Sequence, residues 1–175
     1  MSPSSDPALE PVPTVAVRSG GEEGTEALGR ALGKTLPAGT VVALSGGLGA
    51  GKTVFTRGIA AGLGVDPTEV ASPTFVYLVD YDEGRLPLFH ADLYRFAEVP
   101  VDRIPEVLES IGLEAALASD GVTVVEWWPY YLGPEPARLV RVEISVESGD
   151  TRSIRLEFRG PGLDAARAAV AAVPA

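Results

Sequence analysis

Apolar and polar residues follow two different spacings along the chain, one typical of helices and the other typical of strands. Residues 22–34 repeat alanine and leucine at helical spacing, which predicts a helix. Residues 40–44 form a short, continuously apolar run, typical of a strand buried on both faces. A short strand is predicted before this pair, over residues 14–18, and a helix after it, over residues 53–63. The first half of the chain therefore alternates strands with helices.

The second half of the chain contains strand-like runs paired around short polar turns. These runs predict two β-hairpins, residues 74–81 with 86–90 and residues 139–146 with 152–158. Three further elements are predicted, a helix interrupted near Gly112, a buried strand and a closing alanine-rich helix, over residues 105–118, 122–125 and 163–173. Strand and helix alternation followed by hairpins predicts an α/β fold, with one sheet of mixed parallel and antiparallel strands flanked by helices.

Length and composition predict one domain behind a short tail. A chain of 175 residues with 46% apolar content is about the size of one domain and can bury a substantial core. Residues 1–13 are rich in proline and serine, a composition that buries too little apolar area to become ordered, so they are predicted to be a disordered tail. The domain is predicted to span residues 14–175.

Charge and cysteine content exclude several classes of function. The formal net charge of -10 disfavours a protein that holds nucleic acid through its own phosphate contacts. The absence of cysteine excludes disulfides, thiolate metal sites and cysteine nucleophiles.

No apolar run approaches the roughly 18 residues of a membrane-spanning helix, and the N-terminus lacks the layout of a secretion signal. We therefore expect a cytoplasmic protein that meets proteins or small ligands.

The strongest chemical signal is a phosphate-binding loop at residues 46–53. Its sequence, GGLGAGKT, satisfies the Walker A pattern G-x-x-x-x-G-K-[ST] and stands between a predicted strand and a predicted helix. The glycines allow backbone N–H groups to surround phosphate oxygens, and the helix directs the positive end of its dipole at the same anion. Lys52 adds a charge toward the outer phosphates, and Thr53 offers a hydroxyl where such loops place a magnesium ligand. The motif predicts a P-loop NTPase domain that binds ATP with Mg²⁺, the alternative being a glycine-rich turn that matches by chance.

An acidic residue follows the second buried strand. Glu126 ends the apolar run 122–125, which is the layout by which such folds direct a carboxylate at the metal. The alternative is an ordinary acid that leaves a strand into solvent. Trp127, directly after it, is unusual for an exposed turn. We favour a role for Glu126 in holding the metal or positioning water.

A second group of chemically capable residues lies in the segment HADLYR. Asp92 could orient a water molecule or hold magnesium through its hydration shell, and Arg95 could meet phosphate or a partner's carboxylate. His90 is interpreted as a packed, hydrogen-bonded histidine rather than a ligand. Residues 72–75 (SPTF) lie where other P-loop proteins carry a phosphate-sensing switch, although turn chemistry alone would explain them.

In this order, GGLGAGKT, SPTF, HADLYR and VVEWW resemble the bacterial TsaE family over roughly residues 22–127. The family consists of P-loop ATPases needed to make threonylcarbamoyladenosine in transfer RNA. The resemblance implies a mixed sheet with a nucleotide site at its edge, magnesium held by Thr53 and Glu126, and functional roles for Asp92 and Trp127. It also implies docking on a heterodimer of the transferase subunit TsaD and its partner TsaB. The chemistry on tRNA then belongs to the transferase, and this chain meets tRNA only indirectly through the complex.

The resemblance extends to the residues that would contact the nucleotide. Its implied nucleotide-binding set is Glu22, Thr25, Gly46, Leu48, Gly49, Ala50, Gly51, Lys52, Thr53 and Trp127. Glu22 and Thr25 correspond to a segment that approaches the base and ribose in the family. Catalytic roles are implied for Lys52, Asp92 and Glu126. The chain departs from the family at Gly47, where an acidic residue is usual.

Three functions are compatible with the motifs. The leading hypothesis is a Mg²⁺-dependent ATPase subunit of the tRNA threonylcarbamoylation system, with slow turnover on its own because no arginine is clearly placed against the outer phosphate. A small-molecule kinase is less favoured, because the chain has no arginine between Leu113 and Arg138 that would form a lid. A nucleotide-gated binding module is the third, in which ATP orders residues 72–75 for docking and hydrolysis is incidental.

Overall fold

A seven-stranded sheet is the centre of the computed structural model, which describes residues 11–174. Its strands are β1 (Thr14–Gly20), β2 (Thr40–Ser45), β3 (Leu78–Tyr81), β4 (Leu88–Asp92), β5 (Val122–Glu126), β6 (Leu139–Ser148) and β7 (Thr151–Arg159). They are ordered β1-β7-β6-β2-β5-β4-β3. The four strands β6, β2, β5 and β4 run parallel, whereas β3 and the pair β7 and β1 are antiparallel to their neighbours. The predicted mixed sheet is confirmed.

Helices cover both faces of this sheet. They are α1 (Glu22–Thr35), α2 (Lys52–Leu63), α3 (Ile104–Ser110), α4 (Leu113–Leu117) and α5 (Asp164–Ala171). On one face, α1 packs against α2 and α5 over a large apolar cluster that includes Val42 and Val124. On the opposite face, α3 and α4 pack on Ala91 and Val125. The central parallel strands are therefore buried on both sides, which accounts for the uniformly apolar sequence of β2 and β5.

The first hairpin differs from its predicted limits. Its first strand begins at Leu78 rather than at residue 74, because the Tyr77 amide donates to the Pro73 carbonyl (2.7 Å) and Tyr77 adopts a positive φ of 67°, which closes a turn. Its second strand begins at Leu88, after Pro87, which has no N–H to donate to a strand ladder. This second strand also ends later than the predicted residue 90, so Asp92 is the last residue of β4.

The remaining predicted elements are confirmed with small changes. The interrupted helix is two helices, α3 and α4, separated by Gly112 with a φ of 77°. Residues 1–10 of the predicted tail lie outside the described residues, and 11–13 form neither helix nor strand. The Pro13 carbonyl accepts a hydrogen bond from the Phe158 amide (2.9 Å). Within residues 11–174, no helix has both the length and the apolar character needed to span a membrane.

Glycines allow α1 and α2 to approach unusually closely. A Cβ added at Gly58 of α2 would lie 2.2 Å from the Glu26 carbonyl oxygen, and one added at Gly29 of α1 would lie 2.2 Å from the Phe55 carbonyl oxygen. Gly33 and Gly62 have similarly close backbone neighbours. This contact fixes α2, whose first turn follows directly from the phosphate-binding loop.

Replacing Gly58 with alanine is therefore expected to destabilise the fold. The added methyl group cannot fit without separating the two helices, and overpacking of this kind costs about 1–3 kcal/mol in free energy of unfolding. The matched control is Gly20→Ala, since a Cβ at Gly20 would meet nothing within 4 Å. Chemical denaturation of both variants measures the difference. Equal free energies of unfolding for Gly58→Ala and the wild type would contradict the predicted close approach.

Candidate active site

A cleft of about 430 Å³ lies at the edge of the sheet where β2, β4 and β5 end. The predicted site residues that line it are Glu22, Leu48, Gly49, Gly51, Lys52, Thr53, Asp92, Glu126 and Trp127. Three other predicted residues lie behind this lining. Thr25 is buried with its hydroxyl 2.8 Å from the Ser19 hydroxyl, whereas the backbone carbonyls of Gly46 and Ala50 accept hydrogen bonds from the side chains of Lys52 and Arg152.

The loop conformation leaves backbone N–H groups available to an anion, except that of Ala50, which donates to the Gly47 carbonyl (3.2 Å). Gly49 and Gly51 have φ values of 73° and 110°, which glycine adopts without steric cost. Gly51 precedes the first turn of α2, and no side chain caps the N–H groups of that turn within the part of the chain described. Gly46 lies so close to β6 that an added Cβ would be 2.4 Å from the Ile144 carbonyl oxygen. The loop and the helix start therefore form an uncapped, positively polarised cradle.

Lys52 lies within this cradle and is 5% exposed. Its Nζ donates to the Gly46 carbonyl (2.9 Å) and to the Gly47 carbonyl (2.8 Å), and it lies 3.9 Å from the centroid of the Trp127 ring. Burial lowers the pKa of Lys52 from its ordinary value, and the negative charges of Glu126 and Asp92 oppose that shift. The amine is thus held by acceptors that an incoming phosphate can supplement or replace.

Trp127 reaches the lysine through an unusual backbone conformation. It has a φ of 59° and a ψ of 41°, the left-handed region, which costs a non-glycine residue roughly 1–2 kcal/mol. Its ring packs on Tyr94, with centroids 5.0 Å apart. Such strain is concentrated at functional sites. Here the left-handed conformation directs the Trp127 ring from the end of β5 back over the cleft.

Glu126 is joined to the loop through Thr53. The Thr53 hydroxyl lies 3.0 and 3.2 Å from the Glu126 carboxylate oxygens Oε1 and Oε2. His90 lies behind the carboxylate, fully buried, with Nε2 2.8 Å from Oε1. His90 is hydrogen-bonded and packed, as expected. Because a buried carboxylate needs polar partners, the histidine holds Glu126 in the orientation that meets Thr53.

Replacing His90 with leucine is expected to lower the free energy of unfolding by about 1–3 kcal/mol, because Glu126 would lose a buried hydrogen-bond partner. A double-mutant cycle that combines His90→Leu with Glu126→Ala, each of which removes one partner of the contact, measures the coupling between the two side chains. We expect the combined loss to be smaller than the sum of the single losses. Strictly additive losses would mean that the contact carries no energy.

Asp92 binds the segment that precedes β3. Its Oδ2 accepts hydrogen bonds from the hydroxyls of Ser72 (2.5 Å) and Thr74 (2.8 Å), and its Oδ1 accepts one from the Tyr94 amide (2.8 Å). Asp92 and Glu126 are register partners on the adjacent parallel strands β4 and β5. Residues 72–74 are therefore tied to a carboxylate that also faces the cleft.

The side chains present suit a magnesium ion. The Thr53 hydroxyl and the Glu126 carboxylate are oxygen donors, the kind that Mg²⁺ prefers, and both line the cleft beside the phosphate cradle. Residues 11–174 contain no group of three or more histidine, aspartate or glutamate side chains arranged to hold a metal alone. Mg²⁺ commonly takes its other ligands from water and substrate phosphates.

One arginine that the sequence analysis considered lies outside the cleft lining, and another that it did not consider lies within it. Arg95 is not part of the cleft lining, and its guanidinium carbon lies 5.6 Å from the centroid of the Tyr77 ring. Arg152, at the start of β7, does line the cleft, and its Nε donates to the Ala50 carbonyl (3.2 Å). Arg152 is therefore a cleft-lining residue that the sequence motifs do not predict. No local motif marks Arg152, since only the register of β7 brings it to the loop.

Comparison with known proteins identifies relatives over most of the chain. A profile of the family described as "Threonylcarbamoyl adenosine biosynthesis protein TsaE" matches residues 19–154. The "tRNA threonylcarbamoyladenosine biosynthesis protein TsaE" of Treponema pallidum is 38% identical over 126 residues, which cover 72% of this chain and 87% of that protein. The Bacillus subtilis protein of the same name is 36% identical over 132 residues, covering 75% of this chain and 78% of that protein.

A solved structure agrees with this grouping. The crystal structure of Bacillus subtilis YdiB matches the fold with a TM-score of 0.72 and 28% sequence identity, covering 92% of this chain and 96% of that one. The loop, its strand and its helix all lie inside the range that the family profile matches. The chain therefore belongs to the TsaE family of threonylcarbamoyl adenosine biosynthesis proteins.

Proposed function

We propose that the chain is a Mg²⁺-dependent ATPase subunit required for the biosynthesis of N6-threonylcarbamoyladenosine in tRNA. The names of its relatives support the pathway. One observation supports the activity above all: the Thr53 hydroxyl, at the start of α2, is hydrogen-bonded to the Glu126 carboxylate from β5, in the same cleft as Lys52. A phosphate cradle and a metal-binding carboxylate are the two halves that a P-loop ATPase requires.

The proposed roles divide the cleft into a phosphate part and a nucleoside part. The N–H groups of the loop from Gly46 to Gly51, including those of Leu48 and Gly49, bind the phosphates together with Lys52. The Ala50 N–H joins them when a phosphate replaces the Gly47 carbonyl as its acceptor. Glu22 lines the cleft at the start of α1, with Thr25 buried one turn further on. We assign Glu22 and Thr25 to the part of the cleft that would hold the base and ribose of the nucleotide. Trp127 covers the lysine and shields the phosphates from water.

Thr53 and Glu126 are proposed to hold Mg²⁺, with Asp92 beside them. When bound, the ion supplies charge neutralisation for the phosphate oxygens. His90 keeps Glu126 in place, and Lys52 adds a second positive charge to the phosphates. Hydrolysis breaks the bond from the γ-phosphorus to its bridging oxygen while water adds to that phosphorus, which yields ADP, inorganic phosphate and a proton. Asp92 is proposed to orient the attacking water.

The proposed partners are a TsaD and TsaB heterodimer, with tRNA held by that complex. Two observations support a protein partner rather than direct tRNA binding. The net charge of -10 opposes contact with a polyanion. Leu48 and Phe75, which are 82% and 84% exposed, place apolar side chains on the phosphate loop and on the segment tied to Asp92. Val76, next to Phe75, is 63% exposed, and adjoining exposed apolar side chains of this kind can form a docking surface.

The test is the rate of ATP hydrolysis with and without the purified TsaD and TsaB heterodimer. We expect slow hydrolysis by the chain alone and a marked rise on mixing, since a partner can order residues 72–75 and the groups around the outer phosphate. A high rate that does not change on mixing would count against the proposal, as would no hydrolysis under either condition.

A nucleotide-gated binding module is the second candidate. The observation that favours it is the pair of hydrogen bonds from Ser72 and Thr74 to Asp92, because a ligand that engages Asp92 would compete with them. Binding alone would then reshape the segment 72–75 without any need for hydrolysis. The two candidates differ in whether tRNA modification survives the loss of hydrolysis.

A further inference from the structure

Tyr94 lines the cleft beside Trp127. The two rings pack with their centroids 5.0 Å apart and their planes inclined at 51°. Tyr130 approaches the same indole less closely, with a centroid distance of 6.4 Å. Within residues 11–174 the Tyr94 hydroxyl bonds to no other residue, and the hydrogen bond of Tyr94 is made by its backbone amide. The ring, rather than the hydroxyl, is therefore the part of Tyr94 that contacts the site.

The position of Tyr94 is set by the end of β4 and does not depend on Trp127. Its backbone amide donates to Asp92 Oδ1 (2.8 Å). Leu93, directly before it, is fully buried, and its amide donates to the Glu126 carbonyl (3.2 Å). Two backbone hydrogen bonds thus fix this segment against the ends of β4 and β5, so that Tyr94 can serve as a support for its neighbour.

Trp127 is the member of the pair that needs support. Its backbone is in the left-handed region, with a φ of 59° and a ψ of 41°. A non-glycine residue stays in this region only where its surroundings hold it there. An aromatic pair contributes an energy similar to the cost of one left-handed residue. The contact with the Tyr94 ring is therefore large enough to decide whether the indole stays over the cleft.

We propose that Tyr94 is a positioning residue, which holds the Trp127 ring over the Lys52 ammonium group and thereby raises the affinity of the cleft for ATP. This inference rests on the proposed nucleotide-binding function. The Lys52 Nζ lies 3.9 Å from the centroid of the ring that Tyr94 supports. A ring held there keeps water from the amine, and a charge-assisted hydrogen bond to phosphate is stronger where water is excluded. Tyr94 acts through Trp127 and not by contact with the nucleotide.

Tryptophan fluorescence tests the structural half of this inference without any nucleotide. The chain has two tryptophans, so Trp128→Phe leaves Trp127 as the single reporter. In that background we expect Tyr94→Leu to shift the Trp127 emission to longer wavelength and to increase its quenching by acrylamide, because the indole becomes more exposed to water. Tyr94→Phe keeps the ring and should leave both signals unchanged. Because Tyr94 is 43% exposed, we expect Tyr94→Leu to fold.

Calorimetric titration with Mg²⁺ and ATP tests the functional half. We expect Tyr94→Leu to weaken ATP binding by about 3- to 10-fold and Tyr94→Phe to stay within about twofold of the wild type. Tyr131→Leu is the matched control. It also removes an aromatic ring, but that ring stacks on Trp128, with centroids 4.5 Å apart, and lies outside the cleft lining. The control should bind ATP as the wild type does.

A double-mutant cycle shows whether Tyr94 acts through Trp127. If it does, Tyr94→Leu has no further effect once the indole is absent, so the combination with Trp127→Ala should bind ATP as Trp127→Ala alone does. Losses that multiply in the double variant would mean that Tyr94 meets the nucleotide itself, and this would overturn the proposal. An equal loss in Tyr94→Phe and Tyr94→Leu would also overturn it, because the hydroxyl would then be the group that matters.

The outcomes for this inference and for the proposed function are distinct. Normal ATP binding by the wild type, together with unchanged Trp127 emission or unchanged ATP affinity in Tyr94→Leu, would overturn this inference and leave the proposed function intact. Failure of the wild type to bind ATP would overturn the proposed function, and this inference with it.

Discussion

Replacing Lys52 with alanine is expected to weaken ATP binding by about 10²–10³-fold. The amine is nearly buried beside the loop carbonyls of Gly46 and Gly47, so it meets a bound phosphate in an environment where water competes poorly. Each charge-assisted hydrogen bond of this kind contributes about 1.5–3 kcal/mol, and the lysine can donate more than one. Calorimetric titration with Mg²⁺ and ATP measures the loss.

Two further variants make the Lys52 result interpretable. Lys34→Ala is the matched control, because it removes the same charge from an exposed position on α1 and should bind ATP as the wild type does. Lys52→Met keeps the apolar stem of the side chain while removing the ammonium group that faces Trp127. We expect it to fold like the wild type and to bind as weakly as Lys52→Ala. An ATP affinity within about threefold of the wild type in Lys52→Met would contradict the assignment.

Replacing Glu126 with glutamine is expected to lower the hydrolysis rate by about 10²–10⁴-fold, with a smaller effect on ATP affinity. The amide preserves the shape of the side chain and its proximity to Thr53 and His90, but it removes the negative charge that would hold the metal. Steady-state hydrolysis measured over a range of Mg²⁺ concentrations reports the change. We expect higher Mg²⁺ to restore only part of the rate.

The Glu126 variant also separates the two candidate functions. Glu109→Gln, at an exposed position on α3, is the control with the same loss of charge. If Glu126→Gln still joins the TsaD and TsaB complex but no longer supports tRNA modification, hydrolysis is required. If modification continues at a normal level without hydrolysis, the chain is a nucleotide-gated binding module.

The parts of the site that the sequence predicts are those carried by short, continuous segments. The buried run before residue 46 and the helix after it were enough to place the phosphate loop correctly. Asp92 and Glu126 each end a strand, and because parallel strands end at the same sheet edge, their proximity follows once the strands are recognised. The chain order of the motifs then identifies the family.

The parts that the sequence does not predict depend on contacts between distant segments. Arg152 reaches the loop only because β7 pairs with β1 and β6 in a particular register. The close approach of α1 and α2 needs glycines that look unremarkable in either helix alone. The turn that ends at Tyr77 follows two hydroxyls that are bonded to Asp92, eighteen or more residues along the chain. Neither spacing nor composition encodes such pairings locally.

The most direct test of the central claim is the level of threonylcarbamoyladenosine in tRNA from cells that lack their own TsaE and express this chain. Mass spectrometry of the digested tRNA measures it. We expect the wild-type chain to restore the modified nucleoside, and Lys52→Met, expressed at an equal level, to leave it at the background value. Failure of the wild type to restore it, or full restoration by Lys52→Met, would contradict the account.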